Sequence, residues 1–143
     1  MTSSIREKIT LAVVALVQPT TGLSGRVWRS RQEAFSRGSA PAVVVETVSN
    51  EPQPNRAGVT TMPHHLDMRL LLLIDASIPD EAADPILVDI HDRFMLDVTL
   101  GGLASNIEPG TTSWGMEVDG LAVVETHYVV KYRTLIKDLT RAV

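Results

Sequence analysis

The sequence predicts an α+β domain, a mostly antiparallel β-sheet with two α-helices packed on it. Long strands or a hairpin arm should extend from the body. Three observations carry this. Residues 63–75 and 121–136 alternate over far more positions than the roughly 5–6 of an ordinary strand. Residues 4–17 and 79–96 carry apolar side chains at helical spacing instead. The connections between strands are of hairpin length, which favours antiparallel neighbours.

The chain is read as a single domain over its 143 residues, with no repeat and no low-complexity tract. In the first helix, Ser4-Ile-Arg-Glu7 has capping-box spacing, in which hydroxyl and carboxylate satisfy each other's free backbone N–H groups. Ile5, Ile9, Ala12, Val13 and Leu16 then recur on one face, and Pro19-Thr-Thr-Gly22 ends the helix. Residues 26–31 begin by alternating basic and apolar side chains, as a short half-buried strand does. Residues 42–48, after Pro41, are β-branched and form a better strand. Residues 50–61 contain Pro52, Pro54 and Gly58 and no periodicity, and read as a long polar loop.

Residues 63–75 form the clearest strand. His64, Leu66, Met68, Leu70, Leu72 and Ile74 point one way, into the core. His65, Asp67, Arg69, Leu71 and Leu73 point the other way, and the apolar end of that row needs a cover. The second helix starts at Pro79 or restarts at Asp84, with Ile86, Leu87, Val88, Ile90 and Phe94 as its apolar face. Gly101-Gly102 is a turn. Residues 103–108 and 114–118 read as two short strands separated by a Pro109-Gly110 turn. Asp119-Gly120 signals a tight hairpin into the final strand. There Ala122, Val124, Tyr128, Val130 and Tyr132 oppose Glu125, His127, Lys131 and Arg133.

Composition narrows the function classes. A formal net charge of −4 argues against a general nucleic-acid binder, which is basic. Zero cysteines exclude a disulfide scaffold, a thiol nucleophile and a thiolate metal site. Aromatic residues make up 4%, too few for an aromatic cage or a base-stacking platform, so the core is built from Val, Leu, Ile and Ala. No apolar run approaches the roughly 20 residues that span a bilayer, and no secretory signal is recognisable. A soluble, cytoplasmically made domain without membrane partners is the expectation.

Candidate chemistry is sparse. His64 and His65 face opposite sides of a strand and cannot share a metal. His65 and Asp67 share a face, but two ligands are too few. His91-Asp92 and His127 read as surface or interface groups. Ser24-Gly25 and Ser113-Trp114 lack the Gly-x-Ser-x-Gly elbow. Asp80, Glu81 and Asp84 suit the dipole of the second helix. Gly101-Gly102 lacks phosphate-loop spacing and is a structural turn, where φ > 0 or close packing calls for glycine. Arg26, Arg29, Arg31 and Arg37 could touch phosphate or form a partner-facing strand edge. The reading assigns no catalytic residue, cofactor or metal, and expects no enzyme.

Four segments together carry a family resemblance: Arg26-Val-Trp28, Phe35 followed by Pro41-Ala-Val-Val-Val-Glu46, Thr99-Leu-Gly-Gly-Leu-Ala104, and Tyr132-Arg-Thr134. In order and spacing the chain resembles the tail terminator (tail completion, or minor tail protein U) proteins of long-tailed bacteriophages. It departs from the pattern in residues 50–61 and after Arg133. The resemblance implies a structural virion protein made in the host cytoplasm and located in the tail, at the neck. Six copies would form a ring on the head-proximal end of the tail tube, stop tube polymerisation and offer a docking surface to the head connector. The implied partners are copies of itself, the tail tube protein, head–tail connector or neck proteins and, in contractile tails, the sheath protein. DNA would pass through the lumen without specific binding. Six chains at −4 each would give an acidic ring along which phosphates slide.

On this reading Asn50, Glu51, Gln53, Asn55 and Arg56 are interface residues of a projecting hairpin arm. Lys131 and Arg133 are candidates to pair with a neighbour's acidic groups. Two alternatives stand beside it. One is another neck ring, a head-completion or connector protein. The other is a small ligand-binding or catalytic α+β domain, for which His65, Asp67 and His127 would be the first residues to test.

Overall fold

The computed structural model describes residues 3–30, 37–56 and 58–143. Arg31 of the basic run and Phe35 of the resemblance lie outside the described residues. The elements are α1 (Ile5–Val17), β1 (Val27–Arg29), β2 (Ala42–Pro52), β3 (Thr61–Ile74), α2 (Pro79–Leu96), β4 (Asn106–Val118), β5 (Leu121–Leu135) and β6 (Asp138–Ala142). They form an α+β fold around one sheet in the order β1-β2-β3-β5-β4, and β6 pairs with β5. All pairings are antiparallel except the short β1–β2 contact, where Val27 sits opposite Val43.

Both helices cover one sheet face. His64, Leu66, Met68, Leu70, Leu72 and Ile74 are all buried there, as the alternation predicts. They pack with Val43 and Val45 of β2, Val124, Tyr128, Val130 and Tyr132 of β5, and the buried stripes of the helices. From α1 that stripe is Ile5, Ile9, Thr10, Val13 and Val17, with Ala12 and Leu16 only half-buried. From α2 it is Ala83, Ile86, Ile90 and Phe94, with Phe94 stacked on Tyr128 at 4.1 Å between ring centres. Val88, expected on this face, is exposed. On the other sheet face the apolar end of β3 is covered. Leu73 joins Val44, Leu121 and Val123, with Trp28 and Ala40 packed over them.

Several elements depart from the sequence reading. Only half of the capping box forms: Ser4 Oγ accepts from Glu7 N–H at 3.1 Å. The Glu7 carboxylate instead takes the Arg29 guanidinium in a two-point pair, because a charged fork outcompetes one backbone N–H. α2 runs unbroken from Pro79, and Pro85 is absorbed inside it. The polar loop at 50–61 is shorter than expected. β2 continues to Pro52, and Asn50 and Glu51 pair with Leu66 and His65. Ladder partners on both sides of β3 fix this stretch more firmly than its composition suggests.

The two short strands at 103–108 and 114–118 are one edge strand, β4, bulged between Pro109 and Thr112 and again between Ser113 and Met116. Pro109-Gly110 is therefore a bulge rather than a turn, and an edge strand tolerates Pro because it needs no donor on its outer side. β6, which the sequence reading did not find, folds back on β5 beyond the end of β4. Among the described residues no helix is long and apolar enough to cross a membrane.

Candidate functional site

The long strands β3 and β5 lie in register from Thr61 opposite Leu135 to Ile74 opposite Ala122. This register decides which polar side chains meet. On the sheet face away from the helices it builds a chain of ion pairs across three strands. Arg69 of β3 donates through Nε to Glu46 of β2 at 3.0 Å, reinforced by a close Nη2 contact. Its Nη1 reaches Glu125 of β5 at 3.3 Å. Hydrogen bonding to Glu46, and secondarily to Glu125, holds the guanidinium pKa above its ordinary value. The His127 ring bridges onward, with Nε2 3.2 Å from Glu125 Oε1 and Nδ1 2.9 Å from Asp67 Oδ1.

A shallow cavity of about 430 Å³ lies over this row, lined by Ser49, Glu51, His65, Asp67, Thr111 and His127 among others. His65, Asp67 and His127 are thus brought together around one cavity. Ser49 shares this cavity with His127 and Asp67. Both His127 ring nitrogens face carboxylates, those of Glu125 and Asp67. Among the described residues no group of three or more His, Asp or Glu is arranged to hold a metal.

The helix-facing side carries a second polar cluster. Tyr132 O–H donates to Asn50 Oδ1. That orients the amide so that its Nδ2 faces His64 Nδ1 at 3.2 Å. His64 Nδ1 must therefore accept, its Nε2 carries the proton, and Nε2–H donates to Thr134 Oγ1 at 2.9 Å. The His64 ring stacks on Tyr132 with centres 4.7 Å apart. Burial, then the nearby Arg6, lowers the His64 pKa, and burial raises that of Tyr132. Tyr128, buried against Phe94 and facing His91, is pushed up to about 12 by burial and by Asp92.

The other predicted site residues fall as follows. Asn50, an expected interface residue, bonds within its own chain to His64 and Tyr132. Gln53 closes the hairpin through N–H to Pro63 O at 2.9 Å. Asn55 and Arg56 sit exposed on a 3-10 turn at the tip, followed by Val59, which is 98% exposed. Lys131 pairs within its own chain, with Glu108 at 2.9 Å, and Arg133 donates to Thr61 Oγ1 at 2.9 Å. Two arginines of the basic run are engaged as well, Arg29 with Glu7 and Arg26 with the Pro41 carbonyl at 2.9 Å.

Gly101 and Gly102 do lie in a turn, at φ of 70° and 95°, in the left-handed region where glycine is favoured. The residue that organises this turn is Asp97, which the sequence reading missed. Its carboxylate accepts from Thr99 N–H at 3.0 Å, Thr99 Oγ1 at 2.6 Å and Gly101 N–H at 2.9 Å. These bonds, Thr99 hydroxyl first, hold its pKa below the usual carboxylate range. The Asp-x-Thr signal of an Asx turn was present to be read.

A larger cleft, about 1130 Å³, opens between the start of α2 and the β4–β5 hairpin. Trp114 and Met116 line it and are 54% and 42% exposed. No protein-family model matches the chain, and no curated protein matches it.

Proposed function

We propose that this chain is a subunit of a tail-terminator ring, a non-enzymatic assembly protein that caps the head-proximal end of a phage tail tube and presents a docking surface to the neck. The observation that carries the assembly reading is the long unpartnered edge of the sheet. β4 pairs only with β5 among the described residues, and its Trp114, Met116 and Val118 are all exposed. A monomer gains nothing from exposed apolar groups on an open strand edge, whereas an assembly subunit buries them. The resemblance selects which assembly. Its Arg26-Val-Trp28 segment runs into β1, Pro41-to-Glu46 covers the start of β2, Thr99-to-Ala104 is the Asp97-braced turn, and Tyr132-Arg-Thr134 is the buried end of β5.

Binding of the full chain to purified tail tube protein tests this. A terminator binds tube ends and halts tube growth at substoichiometric amounts. A connector protein binds the portal-side ring and leaves tube growth unaffected. The His65–Asp67–His127 cavity supports the ligand-binding alternative, which would show as a ligand-dependent rise in melting temperature.

A further inference from the structure

The two ends of β5 carry apolar surfaces of opposite charge. At the β4–β5 end, the cleft that exposes Trp114 and Met116 is rimmed by Asp80, Glu81, Asp84 and Glu117. None of these four has an ion-pair partner among the described residues. At the β5–β6 end, Ile136, Leu139 and Val143 are 44%, 46% and 63% exposed. Around them stand Lys137 and Arg141, with Asp138 the single acid of the strand. Arg6 and Lys8 lie on the adjoining helix α1, which packs beside β6. From Val123, in the cleft, to Thr134, opposite β6, the strand rises roughly 35 Å.

Both surfaces also offer backbone. β4 and β6 each pair with β5 on one side only, so each presents a free edge among the described residues. Two edge strands with opposite charge and exposed apolar side chains satisfy each other's requirements.

We infer that the acidic cleft of one copy, between α2 and β4, receives the basic β6 edge of a second copy of this chain. Two copies that exchange both contacts close a two-fold dimer, because β4 and β6 lie along the same edge of β5; a copy that offers its two surfaces to two different neighbours makes a head-to-tail contact. Such a contact makes rings when its rotation closes and filaments when it does not. This inference deepens the ring reading and rests on it for closure alone.

The chain has no cysteine, so single thiols can be placed cleanly. Trp114→Cys and Leu139→Cys chains, mixed and treated with a short bis-maleimide, are expected to give a cross-linked dimer. Neither variant alone should give it. Asp84→Lys with Glu117→Lys, both outside the first turn of α2, should weaken self-association about tenfold or more. Lys137→Glu with Arg141→Glu in the same chain should restore it.

Rings of the unmodified chain without the 114–139 cross-link and without charge-swap rescue would overturn the contact and leave the ring reading standing. The cross-link with rescue, on open filaments or dimers only, would uphold the contact and overturn the ring. Monomers throughout, with no cross-link, would overturn both.

Discussion

Asn50 Nδ2 stands 3.2 Å from His64 Nδ1, with the amide locked in that orientation by the Tyr132 hydroxyl on its other end. The pair accommodates only a neutral imidazole, since a proton on Nδ1 would face the amide's own hydrogens. Burial and Arg6 lower the His64 pKa in the same sense. The unfolded chain, titrating near 6.5, therefore binds a proton that the folded chain refuses. The stability contributed by this cluster is complete above about pH 6.5 and declines as the pH falls from there toward the folded-state value. Urea unfolding between pH 5 and 7.5 should show that decline. Asn50→Asp, whose carboxylate accepts from a protonated Nδ1, should reduce it. Parallel profiles for the two proteins would contradict this account.

Asp97 gives a second acid-sensitive element, at lower pH. Its pKa is depressed, so its contribution is present above the usual carboxylate value near 3.9 and is lost as the pH falls through the folded value. Asp97→Ala should lower the melting temperature at pH 7, and the gap to the parent should close as the pH drops below about 4. A gap that stays constant to pH 2.5 would show that the carboxylate does not brace the turn.

Gly110 is packed against the neighbouring strand. A Cβ there would come within 3.0 Å of His127 Cβ and 3.3 Å of the His127 carbonyl oxygen. Gly110→Ala should cost about 1–3 kcal/mol in denaturant unfolding, because β5 is fixed by β3 on its other side and cannot retreat. A cost below about 0.5 kcal/mol would mean that the bulge adjusts freely.

Arg69 holds Glu46 and Glu125 together. Arg69→Met keeps the aliphatic stem and leaves two carboxylates side by side. The partly exposed setting limits the loss to about 1 kcal/mol at low salt. That loss should shrink in 1 M NaCl, where charges are screened within about 3 Å. A salt-independent loss would assign the effect to packing.

The sequence pattern was legible wherever one period ran long. β3 and β5 alternate over their whole length, and every residue from His64 to Ile74 on the even-numbered face of β3 is buried. The Ser4 cap and the Asp119-Gly120 hairpin were equally plain. It was illegible where tertiary pairing overrode local punctuation. Pro52 and Pro109 read as breakers but sit in edge or terminal strand positions, where no ladder donor is needed. Pro85 reads as a possible restart, yet α2 continues through it because packing of Ala83, Ile86 and Ile90 holds both sides.

The polar constellations depended on register, which a single strand does not announce. His65 and Asp67 could be placed on one face, but Arg69 meeting both Glu46 and Glu125, and His127 meeting Asp67, follow from pairings across strands distant in sequence. Asn50 looked like a loop residue and proved to be a clamp for the same reason. The acidic residues of α2 were read through the helix dipole alone. Their second neighbour, the exposed Trp114 and Met116 of β4, appears only once the hairpin folds beside the helix.

The proposed closure of this chain into a ring is open to measurement. Native mass spectrometry over a concentration series, with and without tail tube protein, and imaging of the largest species measure this directly. A closed hexamer with a central hole is the expected species. A monomer or dimer at every concentration, even with tube protein present, would contradict it.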